Sequence, residues 1–242
     1  MSRTVSNTIA GCSFALMAII WIYLVATQPE WGSENAKSAA TIALVGYGVA
    51  TIGLIVATIP RIPSQTLAMI PAAVVLNVAL GEIVGRLGIP IYVDSLGTLV
   101  IAALAGPVAA MATGAIGCFV WFTFNSTILP FAAVYAAVGL IAGLLFAKGG
   151  LSKIWWAVLS GILMGLIIGS LSAPVAAFIY GGTAGAGTGA VVTFFQSLGL
   201  PNFMAVVAQS ALSDPVDKVV ITLVTFAVVR SLPRRVLDKF SR

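Results

Sequence analysis

Three short segments hold most of the side chains that could do chemistry. In residues 81–98 (GEIVGRLGIPIYVDSLGT), Glu82, Arg86, Tyr92, Asp94 and Ser95 gather where one apolar run ends and the next begins. Glu82 and Arg86 suit an i, i+4 ion pair or a ligand contact, and Asp94 before Ser95 suits a helix N-cap or a ligand contact. In residues 121–131 (WFTFNSTILPF), Trp121 and Asn125 are fit to stack on and hydrogen-bond a heterocycle; the alternative is an aromatic belt beside an Asn-Ser turn. In residues 210–220 (SALSDPVDKVV), Asp214 and Asp217 stand three apart and Lys218 four after Asp214, on one side of an expected helix start with Pro215 in its first turn. There Ser213 or Asp214 can cap the helix. Asp217 and Lys218 lie at or below the expected membrane surface, where ionisable groups face a cavity or each other.

Other chemistries lose their residues. The chain has no His, which removes histidine triads, HExxH zinc sites and histidine proton relays. Cys12 and Cys118 lie far apart in apolar runs without CxxC spacing, so free thiols are expected rather than a disulfide or a metal cluster. The glycines of 180–190 (YGGTAGAGTGA) lack the Lys of a phosphate-binding P-loop. The bases are scattered along the chain rather than gathered into a patch for nucleic acid. The expectation is a binding protein without catalysis, cofactor or metal. An intramembrane enzyme is the weakest alternative, because the acids form no clear metal or nucleophile site.

The elements that must position these residues are membrane helices. Of 242 residues, 60% are hydrophobic and 8% charged, with a mean hydropathy of +1.11. So little charge cannot cover a water-facing surface. Residues 95–147 and 154–213 contain no Asp, Glu, Lys or Arg, and each stretch is too long for one span of about 20 residues. The runs predict helices over 8–27, 38–59, 65–85, 95–105, 107–122, 131–147, 153–179 and 211–231, with a tight turn at Gly106-Pro107 between two short or tilted segments. The first run is too long for the h-region of a signal peptide and lacks a cleavage site, so it is read as a retained helix.

With the N-terminus cytoplasmic, eight segments place Arg3, Arg61, Lys148, Lys153, Arg230, Arg234, Arg235, Lys239 and Arg242 inside. Six of the 7 acids then lie outside, which satisfies the positive-inside rule. An extra span in 180–210 would break that split. This glycine-rich stretch is therefore expected to lie outside as a lid or re-entrant cover over a cavity, with Gln196 facing the solute. A pocket offering Tyr92, Trp121, Asn125 and Gln196 suits an uncharged or weakly polar heterocycle.

IYVDSLGTLVIAALAGPVAAMATGAIG, the outer turn after it, SAPVAAFIYGGTAGAGT and LSDPVDKVV…VRSLPRR occur in an order that resembles the substrate-binding S components of energy-coupling factor (ECF) transporters. The likeness covers roughly residues 65–240. It implies an all-α, polytopic protein of prokaryotic cell membranes, both termini cytoplasmic, with a six-helix core over 61–242. Here two extra transmembrane helices, residues 1–60, precede that core. The resemblance also implies capture of a small vitamin- or nucleobase/nucleoside-like solute at the outer face. Import would be driven by ATP through a separate transmembrane coupling protein (T component) and two ABC-type ATPases. Ala68 and Ala72 match the family's AxxxA contact with the coupling protein. The alternative function is a ligand sensor or interaction subunit that signals to a partner.

Overall fold

Serine caps open the first two helices. Ser2 Oγ accepts from the Val5 N–H to start α1 (Arg3–Thr27), and Ser33 Oγ accepts from the Ala36 N–H to start α2 (Glu34–Thr58). The two run antiparallel: the Ser6 hydroxyl donates to the Ala57 carbonyl at 2.6 Å, and Gly53 leaves room for Ser13. A 3-10 turn, Ile59–Arg61, leads into α3 (Ser64–Arg86). This computed structural model describes residues 1–233, 235 and 240, and its remaining helices are α4 (Leu96–Phe122), α5 (Ala132–Ala147), α6 (Ile154–Tyr180), α7 (Ala186–Ser197) and α8 (Asn202–Ser231). Arg234, Lys239 and Arg242, expected on the cytoplasmic side, lie outside the described residues.

Helix α4 doubles back on itself. Gly106, at φ 80° and ψ −173°, has a conformation open essentially only to glycine, and Pro107 follows it without an N–H to donate. Asn77 of α3 bonds the Gly97 N–H and the Thr98 hydroxyl, while Gly117 packs beside Val74 and Asn77. In a straight helix, residues 97 and 117 would be about 30 Å apart and could not meet the same turn of α3. The limbs 96–105 and 107–122 are therefore a helical hairpin with both outer ends on one side, as the Gly106-Pro107 reading expects.

Small residues let the helices approach closely. A GxxxGxxxG row on α6 lies against α8: a Cβ on Gly161 would come within 2.6 Å of the Val219 Cα, and Gly165 and Gly169 oppose Pro215 and Ser210. Gly114, Gly139 and Gly143 do the same between the outgoing limb of α4 and α5. One hydrophobic cluster joins α1 and α2 to α4 through α8.

By length and composition, six helical stretches among the described residues qualify as membrane spans, α1 to α6, with α4 counted across its kink and α5 together with the 3-10 turn Leu129–Phe131 before it, so the chain is a multi-pass membrane protein. By that measure the two additional helices are α7 and α8, at the C-terminal end, and not a pair preceding the core. The reason is physical: α7 has only 12 residues, and α8 carries Asp214, Asp217 and Lys218 in its middle. A second correction concerns the start of α8. It begins at Asn202 rather than 211, so Pro215 is interior to the helix and Asp214 caps nothing. The segment 202–213 holds enough apolar side chains to continue the helix, and Pro201 is already placed to start it.

Candidate functional site

On the side opposite the N-terminus, the α3–α4 loop, the α4–α5 turn and α7 surround a cavity of about 290 Å³. Glycine positions its aromatic wall. A Cβ at Gly81 would strike the Trp121 indole, so only glycine lets that ring lie against α3. The Trp121 Nε1–H donates to Glu82 Oε1 at 2.7 Å, and the ring meets Tyr135 edge-on at 6.1 Å between centroids. Glu82 also faces Arg86 at 3.5 Å, the i, i+4 pair expected from their spacing. With its N–H engaged, Trp121 offers the cavity its ring rather than a donor.

The floor is a buried charge cluster. Lys218 Nζ lies 2.6 Å from Asp217 Oδ2 and 3.8 Å from Asp94 Oδ1, and it donates to Ser95 Oγ at 3.2 Å. Asp94 is no N-cap: Ser95 holds that position, and Asp94 Oδ2 accepts the Tyr135 hydroxyl at 2.7 Å. Asp217 has no exposed surface. Its Oδ1 accepts the backbone N–H groups of Tyr92 (3.1 Å) and Val93 (2.7 Å), holding Val93 at φ 50°, an unusual conformation for a β-branched residue. Asp217 thus ties the α3–α4 loop to α8. Burial, with the nearby carboxylates adding to it, pushes the Tyr92 phenol upward and keeps it a neutral hydroxyl.

The cavity is lined by Glu82, Tyr92, Asp94, Trp121, Asn125, Asp214 and Lys218 among the residues singled out from sequence. Asp217 stands behind it. Asn125 Oδ1 accepts from both the N–H and the hydroxyl of Thr127, which leaves its amide nitrogen as the group available to a solute. Gln196 is corrected: it is exposed on α7 and its Nε2 donates to Asn202 Oδ1 at 2.9 Å, because the helix turns that residue away from the cavity. Ala186 and Thr188 are the α7 residues in the lining, while Gly187 presses the helix onto Gly88 and Ile89 of the α3–α4 loop.

Sequence reasoning missed Tyr135, Gln209 and Thr188. The signal for Tyr135 was a lone polar side chain in an apolar membrane helix, whereas Gln209 precedes the start expected for the last helix. Among the described residues, no group of three or more His, Cys, Asp or Glu is arranged to hold a metal ion. Comparison with known proteins gives no match to this chain, whether among protein families, curated proteins or solved structures.

Proposed function

We propose that this chain is the substrate-binding membrane subunit of an ECF-type importer. In this reading it takes up a small vitamin- or nucleobase/nucleoside-like solute from the outer face and performs no catalysis itself. The observation that carries the reading is the covered cavity with its aromatic wall and buried polar floor. Pockets of this kind bury a small ligand among apolar groups and orient it with a few polar ones. In this reading the cavity is lined from α3, the outgoing limb of α4, α5, α6, α7 and α8.

A second observation supports coupling to a partner. Ala68 and Ala72 are exposed on α3, beside the exposed Val75 and Leu76. Helices α1 and α2 pack elsewhere, with Gly48 near Leu129 and Trp31 over Gly181, so they leave this small-residue face free for a coupling protein. Both termini would be cytoplasmic, with Arg3, Arg61, Lys148, Lys153 and Arg230 on that side. Co-expression with a coupling protein and its two ATPases tests the proposal. Uptake of the bound solute that depends on all three is expected. Solute binding without uptake favours a sensor or interaction subunit instead.

A further inference from the structure

The next inference rests on the solute-binding reading and concerns the charge of the solute. Three carboxylates, Glu82, Asp94 and Asp214, line the cavity and a fourth, Asp217, stands behind it, against two cations, Arg86 and Lys218. Three of the acids have partners. Glu82 faces Arg86 and Trp121, Asp217 holds Lys218 and two backbone amides, and Asp94 meets Tyr135 and Lys218. Asp214 is 2% exposed and lines the cavity, yet its Oδ2 has no hydrogen-bond partner. Gln209 is also 2% exposed and lines the cavity, and its Nε2 donor is likewise unpartnered.

A buried carboxylate without a donor is costly, and a surplus of negative charge in low-dielectric surroundings repels anions strongly. We infer that the cavity selects a small monocation built on one or two flat rings, with its N–H donors meeting Asp214. The Gln209 amide remains for an acceptor on another edge of the solute. A Trp121 or Tyr135 ring face turned to the solute favours a flat cation over a neutral ring. Size sets the ring count: a cavity of about 150 Å³ holds one benzene, and this one measures about 290 Å³. The class differs from the uncharged heterocycle expected from sequence because Asp214 lies in the cavity instead of capping a helix.

Benzamidine, benzamide and benzoate share one shape and differ in charge. Their binding to the purified full chain in detergent tests the inference. Charge-assisted hydrogen bonds are about twice as strong as neutral ones, so benzamidine should bind about tenfold more tightly than benzamide, with benzoate weakest. In Asp214→Asn the gap between the first two should close to less than about threefold. If that variant does not fold, the order in the unaltered protein decides. Benzamide or benzoate binding as well as benzamidine, or no binding of benzamidine at millimolar concentration, overturns the inference. Benzamidine selectivity without ATP-driven uptake would remove the transport reading and leave this one standing. Coupled uptake of a neutral or anionic solute would do the reverse.

Discussion

Asp217 and Asp214 sit less than one helical turn apart, yet their surroundings assign them different work. Asp217 neutralises Lys218 and anchors the Tyr92 and Val93 amides, so its removal strands a buried cation and frees the loop. Breaking a buried pair on one side costs about 3–5 kcal/mol, and Asp217→Ala should lose about that much stability in chemical or thermal unfolding of the purified protein. Asp217→Asn keeps an acceptor for the two amides and should lose less. Equal stability of Asp217→Ala and the unaltered protein would show that the loop does not depend on this residue. Asn125→Ala belongs to a milder class. Its oxygen serves the Thr127 turn, and only its amide nitrogen is free to contact a solute, so a change in solute affinity of about 1 kcal/mol is expected.

The hairpin of α4 sets the depth of the site, since its incoming limb starts beside the floor and its outgoing limb ends at Trp121. Gly106→Ala would force a side chain into a conformation essentially reserved for glycine, with an expected cost of about 1–3 kcal/mol in unfolding experiments. The fold of the hairpin has its own check. In a background lacking Cys12 and Cys118, the cysteine pairs Val74/Gly117 and Asn77/Thr98 should both cross-link with a short reagent. A continuous straight α4 would allow at most one of them. Gly106-Pro107 made this turn legible in the sequence, because glycine followed by proline interrupts a helix for local reasons. The glycine density of 180–190 likewise pointed to a cover rather than a span, and α7 occupies that place. The start of α8 was not legible. Gln209, Ser210 and Ser213 weaken the apolar signal locally, and only packing against the glycine row of α6 extends the helix through them. The contact of Tyr135 with Asp94 was hidden for a related reason, since it depends on the rotation of α5, which no local pattern fixes.

At the scale of the molecule, the cavity and the small-residue face of α3 occupy different places, so the proposed capture and the proposed coupling would be separable. The arrangement first requires the N-terminus and α7 to be on opposite sides. Cysteines at Lys37 and Leu198 should react with an impermeant reagent from one side and a cysteine at Lys148 from the other; labelling of Lys37 and Leu198 from different sides would refute the topology. Given that topology, Ala68 and Ala72 face away from the protein's own core, whereas Ala73 and Val74 on the same helix are buried. A Trp at Ala68 or Ala72 therefore meets no neighbour within the chain and should leave folding and solute affinity close to those of the unaltered protein. Against a partner helix the same ring would hold the backbones apart and remove the close contacts on which association in lipid depends. If the chain works as the proposed importer subunit, Ala68→Trp and Ala72→Trp are thus expected to abolish co-purification with a coupling protein and ATP-driven uptake while solute binding changes by less than about threefold. A Trp at Val75, which is also exposed but already bulky, is the matched control and should weaken assembly less. If the alanine variants lose binding and assembly together, the face is part of the folded core in the working protein; if they lose neither, a partner must dock on another surface.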